Sequence, residues 1–251
     1  MLAAERRDFL LGRLESEGKL VAKDVARELG VSEDSVRRDL RDLAAAGLCQ
    51  RVYGGALPVS PAIVDYAARS AVSPESKDRV ARRAAALIRA GDRVILDGGT
   101  TTLAVVRALP RTLHATVITH SPTIAAALVE HPAVEIFLLG GRLYKHSAVT
   151  CGVVAADAAR AISADVFLLG VTGVHPVEGL TTGDVEEAAM KRTLAGRAAD
   201  TYVLASSEKV GAASPYAVLP LAEVAGVVTD AASDDPTIER LRADGVEIVA
   251  A

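Results

Sequence analysis

Two sets of residues in this chain have the types and spacing to do chemistry. Asp97-Gly98-Gly99-Thr100-Thr101-Thr102 follows an apolar, β-branched run and leads into a helical stretch. Small residues and hydroxyls at a helix start leave backbone N–H groups free to hold an anion. Thr119-His120-Ser121, Gly140-Gly141-Arg142 and Gly170-Val171-Thr172-Gly173 each sit behind a similar run. Lys191 and Lys209 are suited to offer point charges to a phosphate at such loops. A Gly-Gly after a strand is usually a tight turn and a lone lysine a solvated one, so the shared position of four loops and Lys209 behind strand ends carries the reading. The second set lies near the N-terminus, where Arg37, Arg38 and Arg41 fall within one short helical stretch, the kind of cluster that meets phosphates and base edges.

The elements that must position the loops can be read from periodicity. Apolar, β-branched runs at 93–96, 115–119, 135–139, 165–169, 201–205, 226–229 and 246–249 alternate with Ala-rich helical stretches at 77–88, 102–109, 124–129, 153–161, 185–199 and 237–243. The alternation predicts βαβ units, an α/β fold on a mostly parallel sheet with helices on both faces. In such a sheet the C-terminal strand ends border one crevice, the expected ligand position.

Residues 1–57 read differently. Phe9, Leu10, Leu11 and Leu14 mark a first helix that stops at Gly18. A second, 22–29, stops at Gly30, and Ser32 caps a third whose first turn carries Glu33 and Asp34. This order is that of a helix-turn-helix. Val36, Leu40 and Leu43 define the buried stripe of the third helix. At about 100° per residue, Asp34, Arg38 and Arg41 lie opposite that stripe, with Arg37 on one flank and Ser35 on the other. The alternating segment 48–57, broken at Gly54-Gly55, predicts a β-hairpin wing carrying Arg51 and Tyr53. Any three amphipathic helices can form a bundle, so the order of elements and the arginine face together carry the nucleic-acid reading.

Composition bounds these readings. The 251 residues are 50% hydrophobic, 24% charged and 3% aromatic, with no Trp, ordinary globular material for one large domain or two. With 28 Lys+Arg against 32 Asp+Glu, the net charge of -4 excludes an indiscriminate polybasic binder. The first 57 residues hold ten of each sign, so the acidic excess lies wholly beyond them. Pro58, Pro61 and Pro74 punctuate 58–74 as a linker between 1–57 and 75–251. Cys49 and Cys151 have no CxxC spacing, which fits a reducing cytoplasm. The N-terminus is charged where a secretory leader is apolar, and the longest uncharged stretch, 112–129, is broken by His, Thr, Ser and Pro, so no membrane span is expected. The five histidines lack metal-ligand spacing, and P-loop, GxGxxG, GxSxG and HExxH motifs are missing, so neither metal nor cofactor is expected. The Arg- and Ala-rich, Lys-poor usage points to a GC-rich bacterial genome.

Glu5-Arg6, then Ser32-x-x-Ser35-Val36-Arg37-Arg38-Asp39-Leu40-x-x-Leu43, then Gly47-Leu48 and Arg51-Val52-Tyr53-Gly54-Gly55-Ala56 resemble the N-terminal domain of the DeoR family of bacterial transcription regulators. Tyr53 stands where that family commonly has His. The resemblance implies a winged helix-turn-helix with the third helix in the major groove. Ser35, Arg37, Arg38, Arg41, Arg51, Tyr53 and Gly54 would then meet double-stranded operator DNA. Further on, Lys77, Asp97-x-Gly99-Thr100-Thr101, Val117-x-Thr119-x-Ser121, Leu139-Gly140-Gly141, Asp165-x-Phe167-x-x-Gly170, Glu187-Ala188 with Lys191-Arg192, and Lys209-x-Gly211 resemble the family's C-terminal sensor domain, related in fold to ribose-5-phosphate isomerase. His120 stands where Asn is usual, and Ser206 where the family often has Asp.

The resemblance implies a homo-oligomeric repressor, dimer or tetramer, of a sugar-catabolism operon. It would be released by a phosphorylated sugar bound through Asp97, Gly99, Thr100, Thr101, Thr102, His120, Ser121, Gly140, Gly141, Arg142, Gly170, Lys191 and Lys209. The rival is a sugar-phosphate isomerase of the same fold. Such an enzyme needs a carboxylate base close to a lysine and a second acid. The loop at 170–179 holds no Asp, and Glu178, Asp184 and Glu187 read as surface or helix-start carboxylates. A regulator without catalytic residues is therefore expected.

Overall fold

The computed structural model describes residues 2–251. Its first elements are α1 (Ala3–Glu17), β1 (Leu20–Val21), α2 (Ala22–Leu29), α3 (Glu33–Ala45), β2 (Gln50–Val52) and β3 (Gly55–Leu57). Gly18 and Gly30 end α1 and α2 with left-handed φ of 68° and 63° and donate their N–H groups back to the last turn. Ser32 Oγ accepts from Ser35 N at 3.2 Å, the N-cap that the sequence predicts for α3. The wing is a three-stranded antiparallel sheet in which β3 lies between β1 and β2. Gly54 turns the hairpin at φ 81°, and a Cβ on Gly55 would sit 1.7 Å from Leu20 O, so glycine is what lets β3 lie against β1. Leu10, Leu14, Leu20, Val25, Val36, Leu40, Leu43 and Ala56 close one core.

A 3-10 turn at Pro61–Ile63 and the short α4 (Tyr66–Arg69) follow. Then come α5 (Pro74–Ala85), β4 (Arg93–Leu96), α6 (Thr100–Ala108), β5 (Ala115–Thr119), α7 (Pro122–Leu128), β6 (Val134–Leu138), β7 (Arg142–Tyr144), β8 (Val149–Cys151) and α8 (Val153–Arg160). The chain finishes with β9 (Ala164–Gly170), β10 (Gly173–His175), β11 (Gly179–Thr182), α9 (Val185–Ala195), β12 (Ala198–Leu204), β13 (Tyr216–Leu219), β14 (Gly226–Thr229), α10 (Pro236–Ala243) and β15 (Ile248–Ala250).

Seven parallel strands run in the order β15-β14-β12-β9-β4-β5-β6. Consecutive strand residues serve opposite layers. Val94, Leu96, Val166 and Leu168 pack with α5, α6 and α7, while Ile95, Phe167 and Leu169 pack with α8, α9 and α10. Burial on both faces explains why these strands read as continuous apolar runs. Ala81, Ala84, Ala155 and Ala159 supply small contact residues, so the core fills with few aromatics.

β4, β5 and β14 have the bounds that periodicity predicts. α9 stops at Ala195, four residues before the predicted end, because Gly196 closes it and Ala198 already opens β12. Periodicity does not predict β1, the β7/β8 hairpin or the antiparallel sheet β10-β11-β13, whose strands of two to four residues are too short for an alternating signal. Residues 58–74 carry capped turns of their own: Ser60 Oγ accepts from Ala62 N at 3.1 Å and Asp65 Oδ1 from Ala68 N at 2.9 Å. Among the described residues, no helix is long and apolar enough to cross a membrane.

Candidate functional site

In the N-terminal unit, α3 and the wing present one cationic face. Arg38 and Arg41 are exposed and, among the described residues, form no ion pair. Arg37 is exposed and reaches Glu33 at 2.6 Å, a surface pair of little energetic weight. Arg37 and Arg51 line a cleft between α3 and the wing together with Tyr53 and Gly54, and Tyr53 projects fully into solvent. The Ser35 hydroxyl is 2.9 Å from that of Ser32, beside the helix start. The face is braced from behind. Asp39, between the arginines in sequence, is buried and binds Arg6 Nε, with Arg7 Nε at 3.4 Å, tying α1 to α3.

In the sheet, β4 lies between β9 and β5, and the chain leaves β4 toward β5 but leaves β9 toward β12, so the strand order reverses between β4 and β9. A cleft opens there, lined by Gly98, Gly99, Thr100, Thr101 and Thr102, by Gly170, and by Lys191 and Lys209. α6 begins at Thr100, two residues earlier than predicted, because Gly99 adopts φ 110° as its N-cap. The first-turn N–H groups of α6 have no acceptor within their own helix and face the cleft's cations. Lys209 Nζ lies 3.1 Å from Thr101 Oγ1 and is buried. Burial, joined by Lys77, Arg69 and Lys191, outweighs Glu208 and pushes the Lys209 pKa down to about 8. Lys77 is also driven down by burial.

Asp97 and His120 sit beneath this lining instead of within it. The Asp97 carboxylate accepts from Gly98 N, Gly170 N and His120 Nε2, each at 2.8 Å, and from Lys191 Nζ at 2.5 Å. Burial pushes its carboxyl up, but Lys191 and His120 outweigh that and hold it well below the ordinary carboxylate range. His120 Nδ1 lies 2.9 Å from Thr150 O, so both ring nitrogens face oxygen acceptors. Burial lowers the Lys191 pKa, but Asp97 and Glu187 raise it further, and the ammonium stays charged. Ser121 is buried, its Oγ 2.9 Å from Ala148 O, and it does not line the cleft.

Gly140, Gly141 and Arg142 are placed elsewhere. They follow β6, the edge strand two positions from β4, so their turn lies away from the crevice. A Cβ on Gly141 would meet Ala155 of α8 at 2.9 Å, and Arg142 pairs on the surface with Glu186. The cleft instead takes residues that sequence reasoning missed as site residues: Ala62, Arg69, Lys77, Ser147, Thr172, Thr182 and Glu187. Glu187 is the one carboxylate in the lining, 3.5 Å from Lys191 Nζ and 3.1 Å from Ser147 Oγ. Lys77 and Glu187 had a signal, since each falls on the buried stripe of its helix. Arg69 and Ser147 come from irregular segments that carry none.

Models of the DeoR-like helix-turn-helix domain and the DeoR C terminal sensor domain match residues 6–62 and 72–231. The chain is 32% identical over 251 residues to the HTH-type transcriptional repressor GlcR of Bacillus subtilis, covering 99% of this chain and 96% of that one. It is 32% identical over 252 residues to the HTH-type transcriptional regulator GlpR of Haloferax volcanii, covering 99% and 98%. Ribose 5-phosphate isomerase A of Methanocaldococcus jannaschii aligns with a TM-score of 0.41 at 17% identity, over 55% of this chain and 54% of that one. With both domains matched in order across nearly its full length, the chain belongs to the DeoR family of transcriptional regulators.

Proposed function

We propose that this regulator is a cytoplasmic, homo-oligomeric repressor, dimer or tetramer, that releases a sugar-catabolism operator when a phosphorylated sugar or related metabolite binds its cleft. Ser35, Arg37, Arg38, Arg41, Arg51, Tyr53 and Gly54 meet double-stranded DNA, and residues 58–74 join this unit to the sensor. Oligomerisation supports the reading because one small winged unit buries too little to bind a half-site tightly. The observation that carries the effector class is the charge of the cleft. Arg69, Lys77, Lys191 and Lys209 converge on the start of α6; Asp97 and Glu187 answer Lys191 and Glu208 offsets part of the Lys77 and Lys209 charge, leaving an excess of cations that favours a dianionic group. Binding controls release to the extent that the effector prefers one arrangement of the DNA-binding units.

Catalysis fits the cleft less well. An isomerase needs a carboxylate free to take a proton, whereas Asp97 lies under the lining with four donors on it and Glu187, in the lining, is held by Lys191 and the Ser147 hydroxyl. Two assays test the proposal. Arg38→Ala with Arg41→Ala abolishes operator retardation in a gel at unchanged melting temperature; retained binding would remove α3 from the interface. Thermal shift against sugar phosphates singles out one compound or a few, with the response lost in Lys209→Ala. Turnover of ribose 5-phosphate at ordinary enzyme rates would overturn the regulator-only reading.

A further inference from the structure

One wall of the cleft belongs to residues 58–74, which run from the end of the matched helix-turn-helix domain into the start of the matched sensor domain. Ala62 and Arg69 lie within 58–74, yet both line the cleft. This strap is fastened to the sensor fold by a parallel bridge between Val59 and Ala213 and by Tyr66 N donating to His146 O at 2.9 Å. Pro58 to Ser60 alone separate β3 of the wing from the turn beginning at Pro61. Three residues span at most about 11 Å when fully extended, so a displaced strap pulls on the wing.

Arg69 differs from the other cations of the cleft. Its Nη2 donates to His146 O at 2.9 Å and to Ser147 Oγ at 3.0 Å, while its Nε is buried and has no hydrogen-bond partner among the described residues. A guanidinium N–H left unpaired out of water is costly and gains most from an anionic acceptor. The carbonyl of Arg69 accepts from Lys77 Nζ, so strap and α5 bring two cations in together. The cleft is narrow, with about 30 Å³ of free volume, enough for a couple of water molecules before any wall moves. Its other walls are strand ends, the start of α6, the inner faces of α5 and α9, the turn at Ser147 and the 3-10 turn at Lys209. The strap is a single turn and a four-residue helix, and it lies outside the seven-stranded sheet and its covering helices.

We propose that Arg69 is an effector-binding residue. An anion entering beside Thr100 and Thr101 takes up its Nε–H and draws the guanidinium from Ser147 and the His146 carbonyl, and the strap moves with it. Occupancy of the cleft is thereby converted into a pull on the wing. This rests on the cleft being the effector site, and the experiment keeps the two ideas apart.

The probe is inorganic phosphate, compared with chloride at equal ionic strength, on the full chain. Arg69→Gln is expected to weaken phosphate binding about tenfold or more, as loss of charge-assisted hydrogen bonds does. Arg69→Lys recovers part of it, restoring charge without the planar fork. In the wild type, phosphate slows trypsin cleavage after Arg69. If Lys209→Met abolishes phosphate binding and Arg69→Gln leaves it unchanged, the cleft remains the site and the strap inference is overturned. If neither changes it, the effector-cleft reading falls as well. Should Arg69→Gln fail to fold, the wild-type protease assay decides, and phosphate that binds without slowing that cleavage refutes the inference.

Discussion

Lys209 is an ammonium that its surroundings oppose, and replacing it by methionine makes that opposition measurable. Burial brings its pKa from 10.5 to about 8, which corresponds to about 3 kcal/mol by which the fold disfavours the protonated lysine at neutral pH. Lys209→Met keeps most of the stem and its packing and loses the charge together with the contact to Thr101 Oγ1. In phosphate-free buffer at pH 7 the variant is expected to be more stable than the wild type, by up to about 3 kcal/mol, raising Tm by about 2–4 °C for each kcal/mol in a chain of this size. The folded pKa lies below the unfolded value, so between about pH 8 and 10.5 the unfolded chain binds more protons. The wild type therefore gains stability from this group as pH rises through that window, and its deficit against the variant closes. Urea unfolding of both proteins at pH 7 and at pH 10 measures the gap and its closure. Phosphate should stabilise only the wild type, by about 2.7 kcal/mol at a hundredfold excess over Kd. A variant less stable than the wild type at pH 7, or a gap that does not change with pH, would refute the argument that the cleft holds an uncompensated buried cation.

The buried network below the cleft gives further expectations. Asp97→Asn leaves Lys191 with Glu187 as its carboxylate partner and should cost about 3–5 kcal/mol in urea unfolding; a cost under about 1 kcal/mol would mean that the ammonium finds other support. His120→Asn retains a donor for Asp97 and is expected to be milder than His120→Leu, which should cost about 1–3 kcal/mol by leaving Asp97 Oδ1 short of one donor; equal losses would show packing to be the cause. Asp39→Asn weakens the hold on Arg6 and should lower both stability and operator affinity, whereas Arg38→Ala should lower affinity and change stability by no more than about 0.5 kcal/mol. Paired urea melts and gel retardation separate the two.

Much of the fold was legible because the physics behind it is local. Gly18, Gly30 and Ser32 delimit the first three helices by conformational freedom and capping, and the sheet strands show themselves as apolar runs because both faces are covered. The exposed arginines of α3 follow from the Val36, Leu40 and Leu43 stripe by rotation alone. The cleft was legible where its walls are strand ends, at Gly99 to Thr102, Gly170 and Lys209, and at one helix residue, Lys191. Gly140 to Arg142 share that local pattern and lie elsewhere, because strand order, which no local pattern encodes, puts β6 at the edge. Asp39, Lys77, Glu187 and Lys191 had a readable mark: each is an ionisable residue on an apolar helical stripe, a position that obliges it to find a partner or a ligand. Arg69 and Ser147 meet across nearly eighty positions, and nothing local in either segment announces the other.

The charges of the chain sort by whether the fold answers them. Asp39 is answered by Arg6 and Arg7, and Asp97 by Lys191, His120 and two backbone N–H groups. These pairs hold α1 against α3 and the floor of the cleft under α6, and their carboxylates are buried. Among the described residues, cations without an ion pair stand at both candidate ligand surfaces, at Arg38, Arg41 and Arg51 on the winged unit and at Lys209 and the Arg69 Nε in the cleft. A chain with a net charge of -4 thus presents cations at both of its candidate ligand surfaces, because the sum does not fix where each charge lies. Net charge measures the sum, whereas recognition of an anion depends on the remainder after internal pairing. The strap joins those two surfaces through three residues, and on the proposal made above a ligand that satisfies the second alters the placement of the first.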